Sequence, residues 1–218
     1  LTIPENVSTV GCYAFAGIET IKNIIIGKNV VKIEDNAFSD CTALESVSFH
    51  ENMSYVGNYA FSGCTALESI SFPENLPTFG SFVFSGCTAL TNVEIPESMK
   101  NIPDGMFSGC SSLSRIRLHD GLYGIGAHAF EGCGFVSFDS PKNLTEIGEY
   151  AFAECENLKH FYFSRVLKEI PSYMLYGCKK LTGVYLYPSI SRIGDYAFSK
   201  CPFIDKIIIP DSVTEIGN

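Results

Sequence analysis

A 23-residue periodicity constrains this chain more than any other feature of its sequence. The stretch NYAFSGCTALESISF at 58–72 returns as SFVFSGCTALTNVEI at 81–95. The two copies conserve four apolar pairs, each 23 residues apart: Phe61/Phe84, Cys64/Cys87, Leu67/Leu90 and Ile70/Val93. Self-similarity at a period of 20 to 50 residues indicates a repeat architecture, in which each unit packs mainly against its two neighbours. We therefore expect one elongated array of stacked units.

The repeat runs through the whole sequence. Its most regular position is the residue that ends each Ala-Phe pair or its equivalent: Phe15, Phe38, Phe61, Phe84, Phe107, Phe130, Phe152, Leu175 and Phe198. The one 22-residue interval, from Phe130 to Phe152, reflects a residue missing just after Cys133. No linker interrupts the array, so residues 1–218 are interpreted as a single solenoid of about nine to ten repeats. The sequence opens and closes partway through a repeat, and we expect it to be a fragment of a longer chain.

Each repeat contains one segment typical of a β-strand. Its L-x-x-I-x-I portion alternates apolar and polar residues, as a half-buried strand does. The predicted strands fall near 24–26, 47–49, 70–72, 93–95, 116–118, 138–140, 161–163, 184–186 and 207–209, with a half strand at 1–3. A unit this small cannot bury its apolar face alone, so these strands are expected to stack in parallel along one face of the solenoid.

The A-F-x-x-C segment of each repeat predicts a short helical turn. Three residues before the Phe lie side chains that favour helix N-termini, among them Asp35, Asn58 and Asp104. Glycines such as Gly63 and Gly86 precede the cysteine, where a left-handed C-cap is expected. The predicted fold class is therefore α/β, with a parallel β-sheet on one face and short helical turns opposite.

These motifs resemble the BspA-like class of leucine-rich repeats. The 23-residue pattern C-x-x-L-x-x-I-x-I-P-x-S-V-x-x-I-G-x-x-A-F of that class is closely matched by CTALTNVEIPESMKNIPDGMF at 87–107 and by CPFIDKIIIPDSVTEIG at 201–217. The resemblance extends over the entire chain. It implies a right-handed, curved solenoid without enzymatic activity of its own. It also implies a cell-surface or secreted protein that binds host proteins, matrix proteins or neighbouring cells.

Composition and cysteine spacing exclude several functional classes. A net charge of −9 and a pI near 4.9, without any Lys/Arg cluster, argue against nucleic acid and anionic lipid as partners. No apolar run approaches the roughly 18 residues of a transmembrane helix. Eight of the nine cysteines follow the repeat and none forms a C-x-x-C pair, so neither zinc nor another cofactor is expected. We expect those eight to be buried thiols, whereas Cys12 lies outside the column.

The outward positions of the predicted strands carry the most informative variation. One outward column is Ile25, Ser48, Ser71, Glu94, Arg117, Asp139, Tyr162, Tyr185 and Ile208. The column two residues earlier is Asn23, Ser46, Ser69, Asn92, Arg115, Ser137, His160, Gly183 and Lys206. Serine and asparagine dominate the N-terminal half. Tyrosine and arginine, which are enriched at interface hot spots, occur in the C-terminal half. The candidate binding residues are Arg115, Arg117, Asp139, His160, Tyr162, Tyr185 and Tyr187.

Two interpretations of these residues remain open. The charged residues can form cross-strand pairs while the tyrosines pack for stability, or the whole set can bind a protein or glycan partner. The sequence-based hypothesis is an extracellular recognition or adhesion module of a microbe, located at the cell surface or secreted. The alternative is a structural spacer that binds nothing through this segment. End-to-end association through the open ends of the solenoid is a further possible contact. No residue supports a catalytic role.

Overall fold

The chain forms a parallel-stranded solenoid of about nine turns, as the periodicity predicts. A computed structural model describes all residues, 1–218. Every strand pairing is parallel and joins residues 22 or 23 positions apart, so each repeat pairs with its neighbours. Two rows of short strands run along the array, joined within each repeat by turns. The structure contains no helix, and so none that could span a bilayer.

The first strand row corresponds to the segments predicted from the sequence. Its strands are two or three residues long and lie about one position earlier than predicted. They are β3 (Ser46–Ser48), β5 (Ser69–Ser71), β7 (Asn92–Glu94), β9 (Arg115–Arg117), β11 (Ser137–Asp139), β13 (His160–Tyr162), β15 (Gly183–Tyr185) and β17 (Ile207–Ile208). Near the N-terminus the row continues as isolated bridges, Thr2 to Ile25 and Asn23 to Ser46. The central residue of each three-residue strand faces the core.

A second strand row, which the sequence analysis did not predict, lies in the V-x-x-I segment that follows the first row. Each of its strands has two residues. They are β1 (Thr9–Val10), β2 (Lys32–Ile33), β4 (Tyr55–Val56), β6 (Thr78–Phe79), β8 (Asn101–Ile102), β10 (Gly124–Ile125), β12 (Glu146–Ile147), β14 (Glu169–Ile170), β16 (Arg192–Ile193) and β18 (Glu215–Ile216). A two-residue strand is too short to show an alternation of apolar and polar residues in the sequence. Only its pairing with the neighbouring repeats defines it as a strand.

The prediction of short helical turns opposite the first row is wrong. In the second repeat, Asn36 and Asp40 both have φ of 57°, and equivalent positions of the other repeats also have positive φ. Left-handed residues four positions apart cannot belong to one right-handed helix. Alternate amides of the segment also donate to the following repeat instead of to their own, as in Phe38 N–H to the Ala60 carbonyl oxygen at 2.9 Å.

The residues predicted to cap helices instead join neighbouring repeats. Asp35 Oδ1 accepts a hydrogen bond from the Asn58 amide at 2.8 Å, and Asn58 Oδ1 accepts one from the Ser81 amide at the same distance. These side chains satisfy backbone donors that lie 23 residues further along the chain. Their small size and oxygen acceptors suit both roles, which explains why local sequence reasoning misassigned them.

Prolines coincide with interruptions of the second strand row. Most repeats have a glycine after the β-strand, and its amide donates to the previous repeat, as in Gly126 N–H to the Ile102 carbonyl oxygen at 2.8 Å. Pro103 and Pro171 occupy this position in two repeats and have no amide hydrogen to donate. The row is interrupted at these two places, between β6 and β8 and between β12 and β14.

The core between the two rows consists of columns of identical or similar side chains. The most regular is the phenylalanine column, whose neighbouring rings from Phe15 to Phe152 stack with centroids 5.3 to 6.0 Å apart. Beside it runs the column of eight cysteines. All nine cysteines of the chain are free thiols, and only Cys12 is fully exposed. Burial raises the pKa of Cys64, Cys110 and Cys155 to about 12.

Candidate interaction surface

The outward columns of the first strand row form a continuous exposed face. In its N-terminal half the outward side chains of β3 and β5 are all serines, which offer little contact area. Strand pairing places equivalent outward residues side by side, for example Ser48 next to Ser71. Apart from Ile25 at the N-terminal end, which is 65% exposed, large side chains appear on this face only from β7 onward, so its two halves differ in their capacity for binding.

Two tyrosines on neighbouring strands dominate the C-terminal half. Tyr162 of β13 and Tyr185 of β15 lie opposite one another in the pairing register, with 53% and 61% of their surfaces exposed. The next residue in the column is Ile208 of β17, which is 61% exposed. We refer to Tyr162, Tyr185 and Ile208 as the tyrosine patch. Three large and mostly solvent-exposed side chains in a row form an apolar surface that water solvates poorly.

The two tyrosine rings do not stack on each other. Tyr162 has its closest aromatic neighbour in His160, at a centroid distance of 6.3 Å and a tilt of 31°. Tyr185 instead meets Tyr187 edge-on at 5.0 Å. Tyr187 is half-buried against the core and lies under the guanidinium group of Arg165 at 5.3 Å. Tyr187 therefore supports Tyr185 more than it offers free surface of its own.

Gly183 creates a notch beside the tyrosine patch. It lies between His160 and Lys206 in the neighbouring outward column, and no atom lies within 4 Å of the position that a Cβ would occupy. The resulting groove has a volume of about 300 Å³ and is lined by His160, Tyr162, Tyr185, Lys206 and Ile208, among others. The sequence pattern places Gly183 in this column but does not by itself reveal the notch. The available signal was a glycine inside a strand, which often marks close approach of another group.

The structure separates the predicted arginines from the tyrosine patch. Arg117 Nη1 lies 3.2 Å from Glu94 Oε1 on the neighbouring strand, and both side chains are largely exposed. The sheet is interrupted between β9 and β11, next to the repeat that lacks one residue. Asp139, on the far side of this interruption, forms no salt bridge. Of the cross-strand charge pairs considered for Glu94, Arg117 and Asp139, only the pair of Glu94 with Arg117 forms.

A second aromatic surface, missed by the sequence analysis, lies on the turn side of the solenoid. It consists of aromatic and histidine residues two positions before the core phenylalanine, and rings of directly neighbouring repeats stack, whereas Phe82 and His128, on either side of Gly105, are tilted at 6.3 Å. We call it the turn-side ladder: Tyr59, Phe82, His128, Tyr150, Tyr173 and Tyr196. Tyr150 and Tyr173 have centroids 4.5 Å apart and an interplanar angle of 7°. These ring faces cover one another, so the ladder exposes mainly ring edges.

The exposed thiol of Cys12 lies far from the tyrosine patch, in the first repeat. Its Sγ donates a hydrogen bond to Glu34 Oε2 at 3.5 Å, and its amide donates to the same oxygen at 3.3 Å. Lys32 Nζ lies 2.9 Å from Glu34 Oε1. The Lys32 ammonium lowers the pKa of the Glu34 carboxyl group, with a further contribution from the Cys12 hydrogen bonds.

Comparison with solved structures supports the fold. A leucine-rich-repeat protein from Bacteroides ovatus is 25% identical, with a TM-score of 0.73, over 99% of this chain and 71% of that one. A leucine-rich cell-surface protein from Faecalibacterium prausnitzii is 22% identical (TM-score 0.59; 99% and 86% covered). The pneumococcal vaccine antigen PcpA is 21% identical (TM-score 0.69; 99% and 64% covered).

The search of curated proteins found no match to this sequence. A family model, by contrast, matches nearly all of it. The model describes the BspA type leucine rich repeat region, and it aligns in six copies to residues 1–114 and 100–218. The repeat pattern, the parallel solenoid and this match agree, and the chain therefore belongs to the BspA-type leucine-rich-repeat family.

Proposed function

We propose that this chain is an extracellular recognition or adhesion module that binds a protein or glycan partner through the exposed face of its first strand row. The observation that carries the proposal is the tyrosine patch. Tyr162 and Tyr185 lie side by side, more than half exposed and not stacked on each other, on a face whose strands β3 and β5 carry only serines. Solvent-exposed tyrosines of this kind contribute strongly to binding when a partner covers them.

The proposed surface comprises Arg115, Arg117, Asp139, His160, Tyr162, Tyr185 and Tyr187. Within it, the tyrosines supply apolar contact area, while the charged residues supply orientation and select among partners. The solenoid is held by backbone hydrogen bonds between all its repeats, so this surface is formed before a partner arrives. Binding then orders little of the chain, which favours affinity.

Family membership and the solved relatives support a location at the cell surface. One relative is itself described as a cell-surface protein, and another is a vaccine antigen. We extend that location to this chain as part of the proposal. The alternative is a spacer that holds other domains apart, and it predicts that no partner binds this face.

A binding comparison distinguishes a recognition module from a spacer. The intact protein is screened against matrix proteins, host-cell surfaces and a set of glycans, beside a variant with Arg117→Ala, Tyr162→Ala and Tyr185→Ala. A matched control carries Ser48→Ala and Ser71→Ala, at equivalent positions of the serine half. Circular dichroism establishes that all three proteins are folded. We expect a ligand that the parent and the control bind and the triple variant loses. Absence of any ligand supports the spacer, and binding that survives in the triple variant places the site elsewhere.

A further inference from the structure

We propose that the notch at Gly183 takes one hexopyranose unit of an uncharged glycan, with Tyr162 and Tyr185 packing against its apolar face. This inference rests on the proposed function and specifies the chemistry of the ligand. It follows from three observations: the exposed and unstacked rings of Tyr162 and Tyr185, the notch beside them and the unpaired polar groups around it.

The lack of stacking between Tyr162 and Tyr185 distinguishes the tyrosine patch from the turn-side ladder. Equivalent residues of neighbouring repeats are a strand spacing apart in both places, about 4.8 Å. In the ladder this spacing produces face-to-face stacking, as between Tyr150 and Tyr173 at 4.5 Å. Tyr162 and Tyr185 have the same relationship in sequence, but neither covers the other. A pyranose ring has one face of axial C–H groups, which packs well against an aromatic ring and displaces poorly solvated water.

The notch has the size of a small-ligand site. Its volume of about 300 Å³ lies at the lower end of the range for small-molecule pockets, about 300 to 1,000 Å³. A protein partner would need to cover about 800 Å² on this chain and would therefore extend well beyond the notch. The notch exists only because residue 183 is glycine, since any side chain would project into its open space.

The polar groups around the notch are available for sugar hydroxyl groups. His160, Asp205 and Lys206 line it, and none of these side chains takes part in a hydrogen bond or salt bridge within the chain. Together they offer both donors and acceptors, as a hydroxyl group requires. Asp205 offsets the charge of Lys206, and Asp139 lies next to Tyr162 in the pairing register. Sulfated or sialylated glycans, which need clustered positive charge, are therefore disfavoured.

The test begins with an array of neutral oligosaccharides of glucose, galactose, mannose and N-acetylglucosamine, with heparin and sialyllactose as anionic probes. The strongest neutral probe is then titrated while tyrosine fluorescence is recorded, since the chain has no tryptophan. The variant Gly183→Val places a branched side chain in the notch, and its Cβ has no atom of a non-adjacent residue within 4 Å. Ser69→Val, in the same column of the serine half, is its matched control.

We expect Gly183→Val and Tyr162→Ala each to weaken binding of the neutral probe at least tenfold, while Ser69→Val leaves it unchanged. Gly183→Val should unfold at the same or a higher temperature than the parent, so that loss of binding is not loss of structure. Binding of heparin or sialyllactose alone, equal binding by Gly183→Val, or no binding of any neutral probe would overturn the inference. If a protein partner binds this face and no sugar does, the recognition function stands and only the glycan assignment fails. If neither a protein nor a sugar binds, both fail.

Discussion

The Sγ of Cys64 donates a hydrogen bond to the backbone carbonyl oxygen of Phe38, 3.3 Å away in the preceding repeat. The same contact recurs in every repeat from Cys41 to Cys201. The Phe38 oxygen also accepts the amide hydrogen of Cys41 within its own turn, at 3.4 Å, so the Cys64 thiol adds a contact between repeats to a carbonyl group that is already bonded. The cysteine column thus has a structural role in joining repeats.

Thiol labelling should distinguish Cys12 from the column. Because only the thiolate reacts and burial raises the pKa of the column thiols, we expect iodoacetamide at pH 8 to modify Cys12 first. Mass spectrometry after partial labelling should show a single dominant adduct, and the variant Cys12→Ser should lack it. Rapid modification of Cys64 or Cys110 in the folded protein would contradict this burial.

The same thiols should make the fold sensitive to alkali. Their folded pKa is raised above the unfolded value, so their contribution to stability is complete below the unfolded pKa, near 8.5, and is lost as pH rises toward about 12. Above the unfolded pKa, each thiol that is ionised in the unfolded chain but still protonated in the folded chain lowers the unfolding free energy by about 1.4 kcal/mol per pH unit.

Urea unfolding at pH 8, 9 and 10 checks this slope. Cys64→Ala should reduce the slope by the contribution of one thiol. Equal slopes for the parent and Cys64→Ala would show that the buried thiols do not cause the effect.

Close approach between repeats should make Gly148 intolerant of a side chain. A Cβ there would lie 2.3 Å from the Ala127 amide nitrogen, and the surrounding atoms are backbone. We expect Gly148→Ala to lower the unfolding free energy by about 1–3 kcal/mol, because neighbouring repeats must separate. Thermal unfolding measures the loss, and Gly183→Ala, where no atom lies within 4 Å, is the control that should unfold like the parent.

The left-handed backbone of the turn-side ladder should lower the unfolding free energy for residues other than glycine. Tyr173 has φ of 58°, and its ring stacks between Tyr150 and Tyr196, at 4.5 and 5.0 Å. Both Tyr173→Ala and Tyr173→Gly lose the stacking, but glycine adopts this φ without strain. We expect the glycine variant to be more stable than the alanine variant by about 1 kcal/mol. The opposite order in urea unfolding would argue against a strained backbone at this position.

Removal of Arg117 should affect stability little. Its pair with Glu94 is largely exposed, and pairs of this kind typically contribute about 0–1 kcal/mol. Arg117→Ala should therefore unfold within about 0.5 kcal/mol of the parent, measured by urea titration. Such a result would allow any loss of partner binding in this variant to be assigned to the interface. A larger loss would mean that the pair holds β7 and β9 together.

The candidate site was only partly predictable from the sequence. The outward columns and their large C-terminal side chains follow from strand alternation, and the structure exposes Arg117, Tyr162 and Tyr185 as expected. The separation of Arg117 from the tyrosines and the half-buried position of Tyr187 were not predictable. Both depend on where the sheet is interrupted and on side-chain rotamers, which the pattern of residues does not specify.

The sequence by itself determined that the chain is a parallel array, because identical apolar columns at a fixed period can be buried only by stacking. The tertiary structure decided the backbone conformation of each turn. Segments that looked helical became left-handed turns, since their amides at Phe38 and equivalent positions bond to the next repeat. It also decided that the rings of Tyr150 and Tyr173 stack while those of Tyr162 and Tyr185 stay free. Local propensity reports the preferences of one segment, whereas these outcomes depend on hydrogen bonds and packing between residues 22 or 23 positions apart.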